Sequence, residues 1–321
     1  MNGNLAAAVA DFLAYKRALG RKYLSEEATL HLLLGFAEQH AVTDLADLTP
    51  RVLDEFVGFR PRPRARSFNH LIGVLGSFLD WAVSQQRMVA SPWHGTRRRD
   101  TDRRLPFLFD PAQARRLLEA AAALPDNPRA PGRGPTYHAI FALFYGLGLR
   151  VGEACGLHLD DIDTGRQLLI VHGGKFGKSR LVPFGPHIGE LLALHLERRH
   201  QEDRAEPGAP LFTFDGRRCV HTGSASETFS RLAAGLAFPV PEGTTAPRLH
   251  CPRHSFAVGC LLRWYREGVD PSARLFQLST FMGHVNPSST AVYLTITPDL
   301  LSEASHRFEA YAEPAWSEAE Q

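Results

Sequence analysis

A chain of 321 residues with 44% hydrophobic side chains has the length and apolar content for two packed domains, and no run reaches the ~18 consecutive apolar residues of a membrane-spanning helix. Its 36 basic and 34 acidic residues leave a formal charge of +2, so overall charge announces no polyanionic partner, and the opening Met1-Asn2-Gly3-Asn4 lacks the basic-then-apolar pattern of a secretion signal. The four cysteines, Cys155, Cys219, Cys251 and Cys260, have no paired metal-ligand spacing, and the cytoplasmic location expected for the chain argues against a disulfide framework.

In chain order, Leu5, Val9, Phe12, Leu13 and Ala14 recur at helical spacing over residues 5–18, and Gly20 closes the pattern. Ser25-Glu26-Glu27 opens a second helix carrying Leu30, Leu33, Leu34 and Phe36. Thr49-Pro50 is an N-cap followed by proline at the first helical position, turning Leu53 and Phe56 inward. A fourth helix covers residues 67–83, with Phe68, Leu71, Leu75, Phe78, Leu79 and Ala82 on its apolar side. Residues 1–95 thus form a strand-free, four-helix domain. Just before the fourth helix, Arg60-Pro61-Arg62-Pro63-Arg64-Ala65-Arg66 combines prolines that hold the backbone extended with four guanidinium groups, available to phosphates or simply to solvent. A second basic run, Arg97, Arg98 and Arg99 with Arg103 and Arg104, follows Pro92 without apolar periodicity and reads as an interdomain linker over residues 96–106.

The second domain covers residues 107–321. Asp110-Pro111 caps a helix reaching residue 123, and the Pro/Gly-rich segment 125–135 is a loop. Residues 137–147 are apolar on nearly every side, as a buried helix is, and Gly146 and Gly148 end it. Arg150 then starts another helix beside its unpaired N–H groups, where an anion is favoured, with Glu153 within one turn as an ion-pair partner. Residues 167–171 and 180–184 read as two strands around a glycine-rich turn, a hairpin with Lys175 and Lys178 at its tip. Helices over residues 186–198 and 224–236 flank the short apolar stretch Leu211-Phe212-Thr213-Phe214.

An unusual polar series follows within apolar helical sequence: His250-Cys251-Pro252-Arg253-His254-Ser255-Phe256, then Met282-Gly283-His284, then Tyr293. A phosphodiester carries a negative charge that grows in the transition state, and a site without a metal must meet it with fixed cations and donors. Arg253 can supply a planar fork to two phosphate oxygens, imidazoles exchange protons near neutral pH, and Tyr293 can act as nucleophile.

The pattern H-x-x-R-H-S-F-A, then G-H, then tyrosine nine residues on, resembles the tyrosine recombinase (phage integrase) family. Over the last two thirds of the chain, Tyr145-Gly146-Leu147-Gly148-Leu149-Arg150-Val151-Gly152-Glu153 resembles the family's arginine box, and Gly174-Lys175-Phe176-Gly177-Lys178-Ser179-Arg180 its lysine hairpin. The resemblance implies an all-α, four-helix, SAM-like core-binding domain followed by a mainly α catalytic domain with a small β-sheet or hairpin. It implies that Tyr293 attacks the scissile phosphate to form a 3′-phosphotyrosyl link, that Arg150 and Arg253 hold the non-bridging oxygens, and that His284 donates to one of them. His250 then assists removal of the tyrosine proton, Lys175 protonates the leaving 5′-oxygen, Glu153 supports Arg150, and His254 is structural. Arg60, Arg62, Arg64, Arg66, Arg97, Arg98 and Arg99 are the DNA contacts expected from the first domain and the linker. No metal and no cofactor is expected, because the bond energy is kept in the protein–DNA link and neither a P-loop nor a metal-ligand cluster is present.

The partner implied is double-stranded DNA with inverted-repeat core sites, bound by a tetramer on two sites that forms from free monomers or weak oligomers in the bacterial cytoplasm, at the nucleoid. No arm-binding domain is expected before the first helix. After the nucleophile, Thr297-Pro298-Asp299 opens a helix whose Leu300, Leu301, Ala304, Phe308 and Tyr311 form one stripe, which must dock on its own core or on a neighbour's and which the family docks on a neighbouring protomer. Two departures stand out: Pro252 precedes the second arginine, and the interval to His284 is long, with residues 263–271 as its extension, as in transposon-encoded integrases. Alternatives are DNA relaxation like that of a type IB topoisomerase, a non-catalytic DNA-binding protein, and a metal site of His250, Cys251, His254 and His284.

Overall fold

The computed structural model describes residues 4–99, 104–172, 179–201, 206, 208–295, 302–303 and 305. Its chain divides into two units, Met1–Arg103 and Arg104–Gln321.

The first unit is built from α1 (Leu5–Ala18), α2 (Leu24–Gln39), α3 (Pro50–Phe59) and α4 (Ala65–Ser84), close to the spacing-based expectation. The Thr49 hydroxyl caps α3 by accepting from the Val52 N–H at 3.3 Å, which fixes where the chain enters the helix. Leu5, Val9, Phe12, Leu30, Leu33, Phe36, Leu53, Phe56, Leu75 and Phe78 share one core, whereas Ala14 points to solvent. Edge contacts of Phe12 with Phe78, at 5.5 Å between centroids, add orientation to that apolar burial.

Within the segment read as linker, Arg98 lies against α4. Arg98 exchanges two hydrogen bonds with the Asn69 amide at 2.8 Å each, donates to the Arg62 carbonyl at 2.8 Å and sits 3.8 Å above the Phe68 ring. Periodicity cannot reveal this, since a side-chain amide rather than an apolar stripe holds the segment. The consequence is that the basic run 60–66 and the run 97–99 meet on one face of the first unit. Arg60, Arg64, Arg66, Arg97 and Arg99 are exposed there, and Arg62 is half-buried.

In the second unit, α5 (Pro111–Ala122) starts from a reciprocal cap: Asp110 accepts from the Gln113 N–H at 2.8 Å and the Gln113 side chain accepts from the Asp110 N–H at 3.2 Å. The central element is α6 (Arg133–Leu147), buried around most of its circumference by Tyr137, Ile140, Phe141, Leu143 and Phe144. It is followed by α7 (Val151–Cys155), and then by an antiparallel sheet in the order β1 (Ile162–Asp163), β2 (Leu168–Val171), β3 (Arg180–Pro183). Register pairs Ile162 with Leu169, Leu169 with Val182 and Val171 with Arg180. The chain continues through α8 (Pro186–Gln201), α9 (Thr222–Gly235), α10 (Cys251–Arg266), α11 (Pro271–Met282) and α12 (Ser288–Ala291), with a 3-10 turn at Val292–Thr295.

The expected extension over residues 263–271 spans the junction of α10 and α11. It is the last turn of α10, the left-handed Gly268 at φ +76°, and the Asp270 cap of α11, whose side chain accepts from the Ser272 N–H at 2.9 Å. Lys175 and Lys178 lie outside the described residues, as does most of the expected C-terminal helix. Among the described residues, no helix is long and apolar enough to cross a membrane.

Candidate active site

Five pieces of the second unit bring the polar series together: the α6–α7 turn, the first residue of β3, the first turns of α10, the C-terminal end of α11, and the segment from α12 to Tyr293. Arg253 is 1% exposed, held by the tight first turns of α10 among apolar neighbours. Its Nη1 donates to the Gly148 carbonyl at the end of α6, and its Nη2 donates to the Met282 carbonyl at 2.8 Å and to His284 Nε2 at 2.9 Å. Pro252 occupies the first turn of α10, where a missing N–H costs nothing, so the departure noted in the sequence leaves the arginine in place.

Arg150 is the N-cap of α7, a helix of only five residues, so attraction for an anion rests on the guanidinium rather than on the helix end. Glu153 closes on it twice, taking the Arg150 backbone N–H at 2.9 Å and Nη1 at 2.6 Å, while Arg150 Nη2 donates to the Gly283 carbonyl at 2.7 Å. Sequence reading missed the third cation. Arg180, at the head of β3, grips both oxygens of Glu153 at 2.9 Å each and donates from Nε to the Phe281 carbonyl at 2.8 Å. Its only local signal is an arginine opening an otherwise apolar strand.

Burial alone would raise the Glu153 carboxyl, but hydrogen bonds from Arg180 and from the Arg150 N–H, the charge of Arg180 and a hydrogen bond from the Arg150 side chain hold it at about 2. Burial and the charge of Arg150 lower Arg253 to about 10, which still leaves it a cation at neutral pH. Among the described residues, three guanidiniums against one carboxylate leave a net two positive charges around the pocket.

The three histidines are neutral there. Burial, followed by the nearby arginines, pushes His284 down to about 4; burial, His250 and Arg253 do the same to His254; burial and Arg253 lower His250. Because an arginine can only donate, His284 Nε2 accepts, and Nδ1–H is left to donate to the buried Thr290 hydroxyl at 2.6 Å. In this state His284 therefore does not present a proton toward a phosphate.

Tyr293 is 4% exposed, and its hydroxyl pairs with His254 Nδ1 at 2.8 Å. The sequence alone points to His254 as structural and to His250 for the tyrosine's proton. The difference comes from helix geometry: the two residues are one turn apart on the same face of α10, rings 5.0 Å apart, and the later one reaches the 3-10 turn that carries Tyr293. Burial raises the Tyr293 hydroxyl, an effect opposed by Arg253 and Arg150. Cys251, by contrast, is buried and accepts from the Arg248 N–H at 3.2 Å through Sγ. Among the described residues, no group of three or more His, Cys, Asp or Glu could hold a metal ion.

Three lowered histidines give a pH dependence. His195, buried against Phe212, is also held at about 4, like His254 and His284, from a usual 6.5. Between those values the unfolded chain binds protons that the folded chain does not, so stability is complete above 6.5 and is lost as pH falls toward 4. Urea midpoints of the second unit are expected to be lower at pH 5 than at pH 7.5. Equal midpoints would contradict the burial-driven shifts.

The family model described as the phage integrase family matches residues 108–299. A candidate integrase/recombinase of Sinorhizobium fredii, y4rB, is 33% identical over 308 residues, 94% of this chain and 96% of that protein. The tyrosine recombinase XerC of Bacillus pumilus is 29% identical over 262 residues, 77% of this chain and 76% of that protein. The fold is shared with the integrase of transposon Tn1549 in complex with transposon right end DNA, at TM-score 0.64 and 18% identity over 96% of this chain and 99% of that one. It is also shared with a lambda integrase tetramer bound to a Holliday junction, at TM-score 0.63 and 16% identity over 88% of this chain and 78% of that one. The arginine, histidine and tyrosine series, the helical fold around it and this similarity along nearly the whole chain agree: the protein belongs to the phage integrase family and is a tyrosine-type site-specific recombinase.

Proposed function

We propose that Tyr293 cuts duplex DNA by attacking the scissile phosphate, with Arg150 and Arg253 holding its non-bridging oxygens. The observation that carries this is the Tyr293 hydroxyl, buried and hydrogen-bonded to His254 beside a pocket of three guanidiniums. A phosphodiester brings one negative charge and the pentavalent transition state carries two, a rise that the fixed guanidiniums of the pocket oppose.

In the first step the tyrosine proton passes to neutral His254, the Oη–P bond forms and the P–O5′ bond breaks. The leaving 5′-oxygen takes a proton from Lys175, which lies outside the described residues. As the phosphate enters, its charge offsets the arginines that depress the histidines, so His254 becomes a better base and His284 can take a proton and turn donor. His250, one turn before His254 and under the field of the same arginines, donates to a phosphate oxygen. The 5′-hydroxyl of a partner strand then attacks the phosphotyrosine, passing its proton to Lys175, the P–Oη bond breaks, and Tyr293 recovers its proton from His254. The bond energy never leaves the covalent link, so neither a metal nor a nucleotide is required. The test is to trap adducts on a library of nicked duplexes with randomised cores in the presence of chelator. Adducts are expected from wild type, and their sequenced ends would define the site; a strict requirement for divalent metal would overturn the mechanism.

The proposal extends to partners. The protein acts in the cytoplasm on inverted-repeat core sites, four protomers holding two duplexes, as the lambda integrase tetramer holds its junction. The joined basic face of the first unit binds backbone phosphates, which position without reading sequence. Changing Arg60, Arg64 and Arg66 to alanine should reduce the slope of log affinity against log salt by up to about one unit per lost contact. An unchanged slope would leave those arginines as solvated charges.

A further inference from the structure

The three arginines of the pocket share an unusual anchorage. Arg180 donates to the carbonyl of Phe281 at 2.8 Å, Arg253 to that of Met282 at 2.8 Å and Arg150 to that of Gly283 at 2.7 Å. These consecutive carbonyls end α11, where a helix leaves its acceptors without intrahelical partners and its dipole favours cations. The next residue is His284. Gly283 adopts φ +67°, and a Cβ there would lie 2.7 Å from Arg180 Nη1 and 3.1 Å from Arg150 Nη1, so the turn is shaped around the two guanidiniums.

Arg180 differs from the other two in what remains of its donors. Both ends of its fork are committed to Glu153 and its Nε to Phe281, and its side chain is 12% exposed. Such a group is poorly placed to receive a phosphate and well placed to hold what does. Through Glu153 it fixes Arg150 from the α7 side, and through the Phe281 carbonyl it fixes the turn that delivers His284.

We propose that Arg180 is a positioning residue for strand cleavage: by joining β3, Glu153 and the end of α11, it sets Arg150 and His284 in register around the scissile phosphate. This rests on the assignment of Tyr293, Arg150 and His284 to the cleavage site. A lysine at this position keeps the charge but cannot fork onto a carboxylate, and displacement of a reacting group by an ångström costs about 100-fold in rate.

The experiment is single-turnover cleavage of a nicked duplex selected by the protein itself, with wild type and Arg180→Lys. The Arg180→Lys protein should bind that duplex as wild type does and fold with a similar melting temperature, yet cleave about 100-fold more slowly. The acid limb of its rate profile should move to higher pH, because Glu153 loses the fork that keeps it ionised. Arg180→Ala should regain part of its rate when millimolar guanidinium chloride is added, an effect lost damage to the fold would not show. A slowed Arg180→Lys whose acid limb is unmoved, or one that cleaves at the wild-type rate, would overturn the positioning role. Failure of wild type itself to form a Tyr293-linked adduct would instead overturn the cleavage assignment beneath it.

Discussion

Arg253→Lys is expected to cut strand cleavage by about 100- to 1,000-fold, the range for removing one preorganised donor from a developing oxyanion, while DNA affinity changes little. The native guanidinium is clamped by the Gly148 and Met282 carbonyls and by His284, so its plane is fixed before any phosphate arrives. An ammonium carries the same charge but presents it as a point, and its donors would be drawn to the two carbonyls. Binding is spread over many phosphates, so losing one contact leaves most of it intact. The neutral variant Arg253→Met should behave worse in a second respect. It leaves two buried carbonyls without a donor at a cost of about 1–3 kcal/mol each, visible as a lower unfolding midpoint. Single-turnover rates and gel-shift affinities separate these effects. Arg253→Lys cleaving within about threefold of wild type would mean that charge alone suffices, against the preorganised fork assigned here.

The second large effect is Glu153→Gln. Its carboxylate is shared by Arg150 and Arg180, at 2.6 to 2.9 Å, with a side chain 7% exposed. Removing the charge while keeping the shape leaves neighbouring guanidiniums to repel one another at low solvent exposure. Breaking such a pair from one side costs about 3–5 kcal/mol. The folded carboxyl sits at about 2, below its usual 4.5, so its contribution is fully present above pH 4.5 and is lost as pH falls toward 2. The stability gap between wild type and Glu153→Gln should therefore be constant from pH 8 to 5 and narrow in acid. A gap that is absent at neutral pH would show that solvent screens the arginines instead.

Much of this architecture was legible because the sequence carries local signals for it. Asp110 with Pro111 and Thr49 with Pro50 announce helix starts through caps made within one turn, and Phe141 and Phe144 announce a buried helix by apolar residues on nearly every side. What escaped depends on contacts between distant residues. Arg180 meets a carboxylate 27 positions earlier, His254 meets a tyrosine 39 positions later, and Arg98 is held by an asparagine 29 positions earlier. The two-residue β1 offers no alternation to read and exists by pairing with β2. The arginine, histidine and tyrosine series itself was readable, since its spacing survives as sequence, but which histidine faces Tyr293 is decided by how α10 packs on the final turn.

The most direct measurement is the chemical identity of the linked residue. Adducts trapped on the selected duplex should be digested with nuclease and protease and examined by mass spectrometry. The expected result is a single nucleotide-bearing peptide with the phosphate on Tyr293, attached to the 3′ side of the cut, and no adduct at all from Tyr293→Phe. An adduct on any other side chain, or one that persists in Tyr293→Phe, would contradict the assignment of the nucleophile and the pocket built around it.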